Sequence, residues 1–118
     1  MRSNLDRLED ILDAINRIYE KLPETKEEFL GSDLLQIWVM YHIQVVGEAA
    51  NGLTRDFRQK YPGIPWQDII AMRYILVNQY FGIDINEIWI TAHEDLPYLE
   101  GEIDAIIDKY TNNPHNQV

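Results

Sequence analysis

The chain has 118 residues, no cysteine, 46% hydrophobic and 25% charged residues, and a formal charge of −10. These values describe an ordinary globular chain and exclude a disulfide framework or a thiolate metal site. Ten Lys and Arg against twenty Asp and Glu also exclude broad nonspecific binding to nucleic acid, which requires clustered cations, while leaving room for a local phosphate site.

The first expected helix starts at Leu5, capped by Ser3 or Asn4: Leu8, Ile11, Leu12, Ile15, Ile18 and Leu22 recur at steps of three and four, and Pro23 ends the pattern. Thr25 and Glu28 have capping-box spacing for a short helical turn through Leu30. A second long helix is expected from Leu34 to about Asn51, with Gly52 as its stop. Its apolar residues cover more than one face, so it belongs at the centre of the fold or at a subunit interface. Leu53 to Tyr61 adds a polar helical turn or two before Pro62-Gly63-Ile64-Pro65 forces a connection. The third helix runs from Pro65 or Trp66 to near Tyr80, with Gly82 as terminator. The fourth runs from Asp84 or Asn86 to about Tyr110 and is kinked by Pro97. No alternating strand pattern occurs. The predicted fold is all-α, an up-and-down bundle of four main helices with a short extra turn, forming one domain over 1–110 with a flexible tail at 111–118. No run approaches the ~18 apolar residues of a membrane span and no leader pattern is visible, so a cytoplasmic protein is expected.

Arg73 is the only Lys or Arg between Tyr61 and Asp108, within a mostly apolar segment. A guanidinium there asks for an anionic partner, either a carboxylate of the chain or a bound phosphate. On a helix Tyr80 returns to within about 20° of the face of Arg73, two turns on. Asn78 lies off that line in the last turn before Gly82. These three residues form a candidate polar constellation at a helix end. The structural alternative pairs Arg73 with Asp68, Asp84 or Glu48, places Tyr80 in the core and leaves Asn78 as a cap.

Gly47-Glu48-Ala49-Ala50-Asn51, Tyr61-Pro62-Gly63-Ile64-Pro65-Trp66, Ile69-Ile70-Ala71-Met72-Arg73, Tyr80-Phe81-Gly82-Ile83-Asp84 and Asp95-Leu96-Pro97 resemble, in order and spacing, the HepT family of HEPN-domain proteins. The resemblance implies a dimerising helical bundle that acts as the metal-independent ribonuclease toxin of a toxin-antitoxin pair. Its implied partner is a minimal nucleotidyltransferase antitoxin that neutralises it by AMP transfer. The family motif is Arg, four residues, His, one residue, Tyr. Arg73 and Tyr80 match it, Asn78 stands at the His position, and Tyr74 replaces a commonly polar Asn. By resemblance Arg73 holds the scissile phosphate and Tyr80 shapes the site and accepts AMP, while Tyr74 lines the dimer cleft.

Asn78 is the important departure, because an amide cannot perform the proton transfer of an imidazole. The chain is therefore expected to be a weak nuclease or none. Two explanations stand: a natural binding or decoy member, or an inactivating change one base away from a His codon. The rival from another functional class is a non-catalytic interaction module that binds a nucleotidyltransferase or a nucleotide.

His42 and His93 read as packed residues, and His115 lies in the tail. His93-Glu94-Asp95 has donor atoms but points them in different directions, so neither a metal nor another cofactor is expected. Trp38, Trp66, Trp89 and Tyr41 read as core aromatics rather than stacking platforms for bases.

Overall fold

In the computed structural model, which describes residues 2–78 and 82–112, the apolar stripe of the first segment becomes α1 (Asn4–Lys21). Ser3 is its cap. The Ser3 hydroxyl accepts from the Asp6 N–H and the Asp6 carboxylate accepts from the Ser3 N–H, each at 3.0 Å, a reciprocal box that satisfies two donors at the helix start. Pro23 disfavours helical geometry at Leu22, which turns extended and closes α1.

The short turn appears as α2 (Lys26–Leu30), capped by the Thr25 hydroxyl, and it carries Phe29 into the core against Trp89 with ring centroids 5.5 Å apart. Ser32 then caps α3 (Asp33–Gly52). Gly52, expected as a stop beyond the helix, is its last residue and has no positive φ. Its missing side chain instead makes room for Arg7: a Cβ there would lie 2.7 Å from the guanidinium carbon.

The polar turn is α4 (Arg55–Lys60). The Asn4 side chain accepts from the Thr54 N–H at 3.0 Å and donates to its hydroxyl at 3.1 Å, tying the start of α4 to the start of α1. In the Pro-rich connection the Tyr61 carbonyl accepts from both the Ile64 N–H and the Trp66 indole, which orients α5 (Trp66–Asn78). The expected end of this helix near Tyr80 lies outside the described residues.

The fourth long helix starts where Asp84 caps α6 (Ile85–Ile90) and continues through a π turn (Thr91–Asp95) into α7 (Leu96–Asn112). The disturbance expected from Pro97 is this π turn. A proline at position 97 has no N–H for the His93 carbonyl and crowds it, and widening the ladder just upstream avoids the clash without ending the helix. Thr111 and Asn112 continue α7, while 113–118, the rest of the expected tail, lie outside the described residues.

The described residues contain no strand, and the fold is all-α. α3 is the central element, packed mainly on α1 and α5, and α7 closes over α1. Leu8, Ile11, Ile15 and Ile18 of α1, Val39, Ile43 and Val46 of α3, and Ile88 and Ile103 of the fourth helix are almost fully buried. Each such side chain contributes about 1.5–3 kcal/mol of burial free energy. No helix among the described residues is long and apolar enough to cross a membrane.

Candidate functional site

Arg73 sits on α5 at a close contact with α3, and Gly47 makes the approach possible. A Cβ at Gly47 would overlap the Arg73 Cβ and lie 3.1 Å from the Ile69 carbonyl oxygen and 3.3 Å from the Arg73 Cα. The backbones meet over a missing side chain, so the base of Arg73 is held by the α3–α5 contact itself. The sequence motif contains Gly47, but spacing alone gave it no role; the only signal was a glycine inside a long apolar helix, where its conformational entropy is a cost without a local return.

Of the three carboxylates considered as partners, the structure selects Glu48, one residue along α3. Its Oε1 lies 3.8 Å from the Arg73 Nε, at the outer edge of an ion pair. The two side chains are 36% and 49% exposed, so solvent screens the attraction. The Arg73 Nε is shielded from solvent and has no hydrogen-bond acceptor among the described residues. A guanidinium offers five donors in a planar fork. Among the described residues the Glu48 contact leaves most of that capacity open to an anion.

Tyr74 follows on the same helix and is exposed. Asn78 is the last residue of α5, five positions from Arg73, hence about 140° around the helix and roughly 7.5 Å along it. Tyr80 lies outside the described residues. The structure thus brings Arg73 together with Glu48 and Gly47, and the described residues leave its relation to the Tyr80 side chain open.

A groove of about 230 Å³ runs one turn away from Arg73, lined by Ile37, Met40, Tyr41 and Gln44 of α3 and Leu76 of α5. Leu34, Ile37 and Tyr41, at helical steps of three and four, present an apolar stripe along its α3 wall, and Leu34 is 80% exposed. The same helix buries Val39, Ile43 and Val46 on its opposite side. This resolves the two-faced apolar pattern of the sequence into one core face and one solvent face.

Of the two described histidines, His42 is half-buried and His93, expected to be packed, is exposed, though each rests on aromatic neighbours. The His42 Nδ1 lies 2.8 Å from the Trp38 carbonyl oxygen, to which it donates, and its ring lies against Trp38 and Tyr41. His93 stacks on Trp89 at 5.1 Å between centroids. Trp66 and Trp89 are core residues as expected. Trp38 is half-buried with its indole donating to the Arg17 carbonyl at 2.7 Å, and Tyr41 departs from the core expectation by being exposed.

The described residues form an all-α bundle that sets Arg73 at the α3–α5 crossing and leaves an apolar stripe of α3 exposed. The "Ribonuclease HepT-like" family model matches residues 11–106, and the chain belongs to that family. It is 38% identical over 106 residues to "Probable ribonuclease HepT" of Thermococcus cleftensis, covering 89% of this chain and 96% of that protein. It is 37% identical over 111 residues to "Gamma-glutamylcyclotransferase and putative RNase MJ0434" of Methanocaldococcus jannaschii, covering 93% of this chain and 50% of that protein. It is also 30% identical over 110 residues to "Putative RNase TTE0752" of Caldanaerobacter subterraneus, covering 92% of this chain and 98% of that protein. No solved structure matches the chain.

Proposed function

We propose that this chain is the toxin subunit of a toxin-antitoxin pair and that its substrate-binding centre is Arg73. The observation that carries this reading is the clamped guanidinium: the Gly47 contact fixes its base, and among the described residues only a screened carboxylate at 3.8 Å answers its charge. A phosphodiester of RNA is the natural competitor for Glu48, because its oxygens match the guanidinium fork.

Cleavage without a metal needs a group to take the 2′-hydroxyl proton and supply one to the leaving oxygen. Asn78 occupies the family His position and does neither, so this chain binds RNA and cuts it weakly or not at all. Losing acid-base catalysis lowers a rate on the order of 10²- to 10⁴-fold. Arg73 retains the electrostatic share of the work, balancing charge that builds on the phosphate.

The active form is a homodimer whose two α5 segments face a shared cleft. The support is the Leu34, Ile37 and Tyr41 stripe on the same α3 helix that Arg73 packs against, an apolar face that the monomer leaves in water. Tyr80 is the acceptor for AMP from a minimal nucleotidyltransferase: its phenol oxygen bonds to the α-phosphorus of ATP, pyrophosphate leaves, and the phenol proton goes to solvent or base. The added phosphate sits near Arg73 and excludes RNA.

RNA binding tests the centre directly. Arg73→Ala lowers affinity for a short single-stranded RNA and reduces the slope of log affinity against log salt by about 1, whereas Arg73→Lys recovers the slope better than the affinity. Unchanged affinity in Arg73→Ala removes Arg73 from the site. Asn78 favours the second reading, a non-catalytic module that binds its nucleotidyltransferase, and a complex with that enzyme that forms without AMP transfer to Tyr80 supports it.

A further inference from the structure

A second cavity, of about 330 Å³, opens between α3, the start of α5 and the π turn. Arg73 does not line it. Its α3 wall is Ile43 and Val46, about 140° to 200° around that helix from Tyr41, so it faces away from the exposed stripe. Ile69 and Met72 of α5 and Leu96 and Leu99 of α7 make the rest of an apolar floor. The volume is at the lower end of the range of small-molecule sites.

Four groups at this cavity are unlike the floor, the Thr91 hydroxyl and three that bear on charge. Asp68, on the first turn of α5, Asp95, at the end of the π turn, and Tyr98 all line it and are all exposed to solvent as well. Among the described residues neither carboxylate has a cation within ion-pair distance or a hydrogen-bond donor. Partial burial, with Glu94 as a second cause, pushes the Asp95 carboxyl above its ordinary range. The Asp95 position owes its place to the π turn, since the widened ladder changes the direction of the following side chains and such turns frequently mark functional sites.

We propose that this cavity binds a small amphipathic amine, with its hydrocarbon or aromatic frame on the Ile43, Met72 and Leu96 floor and its ammonium between Asp68, Asp95 and the face of Tyr98. Charge complementarity selects the cation. Two carboxylates and an aromatic face all favour a positive head group, and an anion of the same shape meets repulsion from both acids and from the −10 charge of the chain. The apolar floor selects against a bare metal ion or a fully hydrated polyamine, which have nothing to place on it. The site is separate from the proposed ribonuclease centre and does not rest on that reading.

Phenethylammonium, 2-phenylethanol and 3-phenylpropionate share a frame and differ in head-group charge, so titration of the full chain with each, followed by amide shifts in two-dimensional NMR, tests the assignment. Phenethylammonium is expected to give saturable shifts centred on Ile43, Met72 and Leu96, with the alcohol about tenfold weaker and the carboxylate weaker still. Asp95→Asn and Asp68→Asn each weaken the cation about threefold, and Arg73→Ala leaves it unchanged. Shifts that fail to saturate, map elsewhere, are equal for the alcohol, or survive both Asp substitutions overturn the proposal. The spectra of the two Asn variants also show directly that they are folded.

Discussion

Gly47→Ala is the substitution that the geometry makes most specific. In an exposed helix the change would stabilise the chain by about 0.5–1 kcal/mol, because alanine loses less backbone entropy on folding. At Gly47 the new methyl meets backbone atoms, the Ile69 carbonyl oxygen at 3.1 Å and the Arg73 Cα at 3.3 Å, and overlaps the Arg73 Cβ. Carbon atoms pack at about 3.5–4.0 Å, so α5 must retreat from α3 by roughly 1 Å or more. Overpacking of this kind costs about 1–3 kcal/mol, which exceeds the propensity gain. The net expectation is a loss of about 1–2 kcal/mol, measured by urea unfolding as a lower midpoint at unchanged slope. Gly101→Ala is the internal control, since it lies in α7 with nothing within 4 Å of the added methyl, and it should stabilise by about 0.5–1 kcal/mol. Equal or greater stability of Gly47→Ala would refute the close-approach reasoning and, with it, the claim that Gly47 positions Arg73.

Glu48→Gln removes a screened partner from Arg73 and is expected to change stability by less than about 1 kcal/mol while strengthening RNA binding, a result checked by unfolding and by binding titration. Leu34→Glu with Ile37→Glu charges the exposed stripe of the proposed dimer interface without touching the core, so sedimentation should show a dimer for the parent and a folded monomer for the double variant; dimers persisting in the double variant place the interface elsewhere. The Tyr19 hydroxyl is buried without a hydrogen-bond partner among the described residues, so Tyr19→Phe should be neutral or stabilising in the same unfolding assay. Burial pushes the Tyr19 and Tyr61 phenols up to about 12. Because the folded chain then holds protons that the unfolded chain releases near pH 10, their contribution is fully present below pH 10 and lost as pH rises toward 12. Ultraviolet titration should find these two phenols ionising after an ordinary tyrosine, and a thermal midpoint flat from pH 10 to 12 would contradict the assignment.

The helices were legible because the information is local. The Leu8, Ile11, Ile15, Ile18 stripe, the Ser3 and Thr25 caps and Pro23 each act within a turn or two of chain, and the structure follows them. The site was only half legible. Arg73 stands out in sequence by isolation in an apolar run, but its partner depends on which helix crosses which, and Asp68, Asp84 and Glu48 were equivalent until α3 and α5 were seen to meet at Gly47. The same limit applies to Gly52, whose role depends on Arg7 from a helix far away in sequence, and to the π turn, where Pro97 signals a disturbance but not its form.

Ribonuclease activity of the parent, of Asn78→His, and of Asn78→His with Arg73→Ala, measured with chelator present, tests the central claim most directly. Little or no cleavage is expected from the parent, a gain on the order of 10²- to 10⁴-fold from Asn78→His, and loss of that gain in the double variant. Full cleavage by the parent, or no cleavage by Asn78→His, would contradict that claim.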